Sequence, residues 1–226
     1  MKNMTKHIVF KWIFLLICAF SSTLHASSFD DFFIAIKRND VPALRQLAQA
    51  GFDLNTRNES GDPPLVLAIR DGSNAVANFL VDEKSVNIEA RTAKDESALM
   101  LAALKGELNL ARQLIARQAE VNKPGWTPLH YAATHPGTAS VEMVRLMLEH
   151  HAYIDAESPN GSTPLMMAAQ YGQPAVVQLL LEEGADPLIK KQKGLTAIDF
   201  AQRACRASAA EMISAVVRAR QPKGKW

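Results

Sequence analysis

Outside the first 26 residues the side chains able to do chemistry are few: His130, His135, His150 and His151, one cysteine, Cys205, and a lysine cluster, Lys190, Lys191 and Lys193. Histidine offers general base or metal-ligand chemistry, cysteine a nucleophile, and clustered lysines an anion site. None of them stands in a catalytic pattern. The chain has no Gly-rich phosphate loop, no Gly-x-Ser-x-Gly, no His-Glu-x-x-His and no Cys-x-x-Cys. His150 and His151 are adjacent, and on a helix adjacent side chains diverge by about 100°, so the pair chelates a metal only where the helix has ended. At a helix C-terminus both the positive charge and the left-handed backbone suit histidine. No metal, cofactor or catalytic residue is expected. Cys18 lies in the leading segment, so Cys205 has no internal disulfide partner after processing and is expected as a small buried residue of the last inner helix. The lysine cluster reads as a solvated tip, with an acidic patch on a partner as the functional alternative.

Composition narrows the classes further. The 226 residues are 48% hydrophobic, which suits a folded core in one or two domains. Three of the 25 basic residues, Lys2, Lys6 and Lys11, fall in the leading segment, leaving 22 against 23 acidic ones. A near-neutral chain lacks the concentrated basic surface that a phosphate backbone requires, so nucleic acid is not expected as a partner.

The elements that position these residues come from one short pattern. Gly125-Trp126-Thr127-Pro128-Leu129-His130-Tyr131-Ala132-Ala133 returns as Gly161-Ser162-Thr163-Pro164-Leu165-Met166-Met167-Ala168-Ala169, and in weaker forms around Ser97, Gly194 and Pro63. Threonine before proline predicts a helix start, the hydroxyl capping free N–H groups and proline occupying a position that needs no donor. With the small residue as a ruler, Ala35, Ala68, Ala102, Ala132, Ala168 and Ala201 lie 33, 34, 30, 36 and 33 residues apart. The short interval reflects a finger reduced at Asn122-Lys123-Pro124, and the long one an insertion at His135 to Ser140. In the first copy Asp30 is expected to cap the helix.

A period near 33 carrying Thr-Pro-Leu-His-x-Ala resembles the ankyrin repeat over about 29–220, with the whole motif present at Thr127 to Ala132. The resemblance implies an all-α solenoid of about six helix-turn-helix repeats with short β-turn fingers, the first and last acting as caps. It also implies that His130 braces the neighbouring finger by hydrogen bonds. Repeats two and three have the poorest motifs, with Ser85 and Gln118 where glycine would favour a left-handed helix end, and are expected to be the least stable.

Ankyrin stacks bind proteins with their finger tips and the exposed side of their inner helices. By position, this resemblance implies a protein-binding surface of Glu59, Asp62, Arg70 and Asp71, then Lys94, Glu96 and Lys105, then Trp126, Thr134 and His135. Asn160, Ser162, Gln170 and Tyr171 continue it, and Lys193, Leu195 and Arg203 complete it. Trp126 and Tyr171 are the expected anchors, since a few aromatic and arginine side chains dominate interfaces; the structural alternative for Trp126 is that it folds onto its own finger.

Residues 1–26 show a basic start, an apolar run from Trp12 to Phe20 and a small-residue end at Ala26, the order of a secretory signal. The expectation is a soluble, monomeric domain over 27–220 with a flexible tail at 221–226, periplasmic or secreted. The chain also resembles periplasmic ankyrin proteins of Gram-negative bacteria, some of which support a catalase. The expected function is a non-enzymatic adaptor, with an immunity protein or enzyme inhibitor, or an effector acting on a host protein, as alternatives.

Overall fold

The structure, a computed structural model, describes residues 28–191 and 193–220. The signal expected at 1–26 and the tail expected at 221–226 lie outside the described residues. Every regular element described is a helix, and the helices come in pairs. They are α1 (28–37), α2 (Val41–Gln49), α3 (Pro64–Asp71), α4 (Asn74–Asp82), α5 (Ala98–Lys105), α6 (Leu108–Ala116), α7 (Pro128–Thr134), α8 (Ala139–Glu149), α9 (Pro164–Tyr171), α10 (Pro174–Glu182), α11 (Ala197–Arg203) and α12 (Ala207–Arg220).

The chain divides into two compact units, one ending at Val86 and one beginning at Asn87. In the first, α4 packs against both α2 and α3. Val76 N–H donates to Asn39 Oδ1 at 3.0 Å, tying the first α–α turn to the second outer helix. In the second, odd-numbered helices α5, α7, α9 and α11 pack in succession as one layer, and α6, α8, α10 and α12 form the other. The ruler alanines explain the close approach. All six are at most 3% exposed, and a larger side chain there would force the helices apart.

The fingers between repeats share one turn. The N–H of Asn58, Thr92, Ser158 and Lys191 donates to the carbonyl four residues on, and the N–H three residues on returns to the first residue's carbonyl. The residue that donates this return bond needs a left-handed backbone, which Gly61, Gly161 and Gly194 supply freely and Asp95 adopts at φ 62°.

Three local expectations are corrected. Helix α1 has already begun at 28, so Asp30 is an exposed residue inside it, not its cap. Phe29 and Phe33 stack at 4.8 Å, and Phe32 meets Phe52 at 4.7 Å; this aromatic packing carries the helix back past the acidic pair. Cys205 is exposed, because α11 stops at Arg203 and Cys205 occupies a left-handed turn at φ 55°. Ser85 needs no left-handed backbone, since α4 ends in the extended residue Glu83, whereas Gln118 adopts φ 67° in the role glycine would have filled. His151 takes the same role after α8 at φ 62°.

Candidate functional site

The finger of the fourth repeat, at Asn122-Lys123-Pro124, is built unlike the others, including that of the fifth at Ser158 to Ser162. Its three missing residues remove the usual turn, and Lys123 takes over. The Lys123 side chain is 2% exposed, and its Nζ donates to the carbonyls of Pro124 at 3.2 Å and Trp126 at 3.1 Å and to the carboxylate of Asp95. An ammonium that far from water is tolerated only where it is paired and fully hydrogen-bonded, as here. Arg91 extends the network, reaching Glu120 at 2.6 Å, Asp95 at 3.2 Å and Glu89 at 3.4 Å. The lysine hydrogen bond, with Arg91 beside it, holds the Asp95 carboxyl below its ordinary range.

With the finger pinned, the start of α7 is fixed from both sides. Nδ1 of His130 accepts from the Thr127 N–H at 3.2 Å and from the Thr127 hydroxyl at 2.8 Å, while Nε2–H donates to the Ser162 carbonyl of the next finger at 2.8 Å. The Thr127 hydroxyl thus serves the imidazole, whereas Ser97 and Thr163 accept from backbone N–H groups at 3.3 and 3.4 Å. His130 is 1% exposed, and burial drives its pKa down to about 4. It is a neutral brace with both ring nitrogens engaged.

Beside this brace opens an apolar hollow of about 190 Å³, lined by Leu104, Trp126, His130, Tyr131, Thr134 and Met167. It draws on α5, α7 and α9, three consecutive inner helices. Trp126 sits edge-on to His130, ring centroids 5.2 Å apart, and is half-buried. Its ring thus packs on the start of α7 and walls the hollow. Tyr131 is half-buried, and burial together with the nearby Glu96 and Asp95 charges raises its pKa, so its hydroxyl stays a proton donor.

The other expected residues divide clearly. In the second unit Trp126 and Thr134 line this hollow, while Gln170, Leu195 and Arg203 meet at another of about 150 Å³ together with Lys191 and Phe200. Tyr171 is 52% exposed but lines neither, so it is not brought together with Trp126. Lys94, Lys105, Asn160 and Lys193 are exposed, and Glu96 is half-buried with Thr92 Oγ1 at 3.4 Å. Ser162 is corrected: it is 2% exposed, and its hydroxyl donates to Asn160 inside the finger at 2.8 Å, so it presents nothing to a partner. His135 is half-buried and donates from Nδ1 to the Leu104 carbonyl at 2.9 Å, closing the loop between α7 and α8. A Cβ at Gly106 or Gly137 would collide with its ring. In the first unit Asp62 and Arg70 form an ion pair at 2.7 Å, and Glu59 and Asp71 are exposed.

Leu104, Lys123, Tyr131 and Met167 are the residues that sequence reasoning missed, whereas Lys191 stands in the lysine cluster that the sequence already offers. A signal for two of them existed. The residue before each ruler alanine is large and apolar, Ile34, Leu67, Leu101, Tyr131, Met167 and Phe200, although that position is repeatedly less buried than its neighbour.

The profile of the family described as Ankyrin repeats (3 copies) matches residues 32–124, 99–191 and 141–218. The chain belongs to the ankyrin-repeat family. Among curated relatives of this ankyrin chain, the Nuclear factor NF-kappa-B p105 subunit of Mus musculus is 29% identical over 157 residues, covering 67% of this chain and 16% of that protein. The Transient receptor potential cation channel subfamily A member 1 of Homo sapiens is 26% identical over 166 residues, covering 69% and 15%. The chain spans about one sixth of the length of these relatives. Among solved structures, a chain of the Bd0816 predatory endopeptidase from Bdellovibrio bacteriovorus in complex with immunity protein Bd3460 is 29% identical, with TM-score 0.69, covering 82% of this chain and 97% of that one. An ankyrin repeat domain from Acinetobacter baumannii AYE shares the fold at 22% identity and TM-score 0.68, with the same coverage. Ankyrin repeats mediate protein–protein interaction, and that much of the function follows from membership.

Proposed function

We propose that this chain is a non-enzymatic binding protein, exported through the leader 1–26 to the periplasm or beyond, that docks a partner protein on the exposed side of α5, α7, α9 and α11. The observation that carries the reading is the hollow at Trp126, Tyr131 and Met167. It is apolar, and the finger that carries its Trp126 is tied down by the buried Lys123 ammonium; interface anchors concentrate in such places. The histidine at its wall has no ring nitrogen available for proton transfer, which fits binding better than turnover.

The likeness to a chain of an endopeptidase–immunity protein complex over nearly its full length favours a partner that is itself an enzyme, its site covered by this surface. The adaptor alternative, with an enzyme such as a periplasmic catalase supported and not blocked, expects the same surface with the opposite effect on activity. Capture from a periplasmic extract with the immobilised chain tests both. The expected result is an enzyme retained by the parent and lost with Met167→Glu, whose activity falls in proportion to added chain. Capture with activity unchanged or raised favours the adaptor, and retention by Met167→Glu removes the surface from the account.

A further inference from the structure

Gln170, Leu195, Phe200 and Arg203 of the second hollow hold the places that Leu104, Trp126, Tyr131 and Thr134 hold in the first, two repeats earlier. Met167 and Phe200 hold the same place before their ruler alanines, on α9 and α11, which pack against each other. The chemistry differs. Where the first hollow has Trp126 and Tyr131, the second has Gln170, Lys191, Leu195, Phe200 and Arg203, with Lys191 Nζ over the Phe200 ring at 5.0 Å. Lys190 and Lys193 are exposed on the same finger, and Arg203 on the adjoining helix. None of these four cations is in an ion pair among the described residues; Asp199, one turn before Arg203, is turned to Thr196 N–H and hydroxyl at 2.7 and 2.8 Å. An apolar hollow therefore lies beside a cationic one, in a unit whose remaining charge is mixed.

Resting on the reading of this face as a docking surface, we infer that the partner presents an acidic segment: a large apolar side chain enters the Trp126–Tyr131–Met167 hollow and a carboxylate meets Lys191 and Arg203. The first hollow is centred on α7 and the two cations lie on α11 and its finger, two packed helices further along at about 8–10 Å each, so the two groups must be separated by about 16–20 Å. An extended segment spans it in roughly five or six residues at about 3.3 Å each. The arginine fork and the lysine ammonium are both suited to a carboxylate, and both line the same hollow as Leu195 and Phe200. Nucleic acid is the weaker occupant, because the cluster has no continuation across a near-neutral chain.

A phage-displayed random dodecapeptide library panned on the purified chain tests this. The expected outcome is enrichment of peptides pairing Leu, Phe or Trp with Asp or Glu about four to seven positions away. A labelled synthetic copy should bind about tenfold more weakly to Lys191→Glu/Arg203→Glu, and binding to the parent should weaken with added salt. Met167→Glu should abolish binding. Enriched peptides without acidic residues, or a charge-reversal variant that binds as the parent does, overturn the inference. If Met167→Glu still removes binding in that case, the docking surface stands and only its charge preference falls. If neither variant changes binding, both fall. Saturable binding of a 20-base-pair DNA duplex at physiological salt, lost in the charge-reversal variant, assigns the cluster to nucleic acid and also overturns it.

Discussion

The fourth and fifth fingers solve one structural problem in two ways. In the fifth, Ser158 and Ser162 close the turn through their own backbones, and Asn160 Oδ1 accepts from the Ser158 hydroxyl, the Ser162 N–H and the Ser162 hydroxyl at 2.8, 3.2 and 2.8 Å. In the fourth, shortened by three residues, a buried ammonium gathers the carbonyls and the neighbouring carboxylate. The first solution is local and tolerant, since losing one hydrogen bond leaves the others. The second concentrates the finger on one side chain and sets Trp126 in the wall of the first hollow. Departure from the repeat marks the site.

The largest expected effect tests the brace between these fingers. His130 has a folded pKa of about 4, below its ordinary value of 6.5, so between those values the unfolded chain binds the extra proton. Its contribution is complete above about pH 6.5 and is lost as pH falls toward 4, on the order of 3 kcal/mol in all. Protonation would also give Nδ1 a hydrogen facing the Thr127 N–H, a donor against a donor. Thermal melts across this range should fall steadily, and the fall should shrink in His130→Gln. Next comes Lys123→Met, which leaves the Pro124 and Trp126 carbonyls without their donor and should cost about 2 kcal/mol. Trp126 fluorescence should shift toward that of an exposed ring, and urea unfolding gives the energy. In the fifth finger Asn160→Ala should cost about 1 kcal/mol by the same measurement, since the backbone turn survives. A larger loss there than at Lys123 would reverse the comparison. Smallest is Tyr171→Ala: the side chain is exposed, and stability should change by no more than about 0.5 kcal/mol.

Much of the architecture was legible because it depends on period. The six alanines were spaced in the sequence and are buried in the structure, and the proline-marked helix starts fall where expected. The site was less legible because it depends on departures from the period. Lys123 stands in no motif, and nothing in the sequence of its short finger tells that its ammonium turns inward onto Asp95. Apolar residues such as Met167 read as core, and their half-exposed edges follow from how far the next inner helix stands off. Ser162 failed as a binding residue for the opposite reason: a small polar residue on a finger looks exposed, but its hydroxyl satisfies Asn160. Cys205 was placed inside because the inner helix was expected to run further than Arg203.

The most direct test of a partner on the α5, α7, α9 and α11 face compares two exposed tyrosines of the second unit. Tyr171, 52% exposed, ends α9 beside the two hollows, and Tyr153, 69% exposed, follows outer helix α8. Replacing each in turn with a photo-crosslinking benzoyl-phenylalanine and irradiating the chain in periplasmic extract should give a discrete protein adduct from position 171 and none from position 153. An adduct from 153 alone would place the partner on the other side of the repeats and contradict the account.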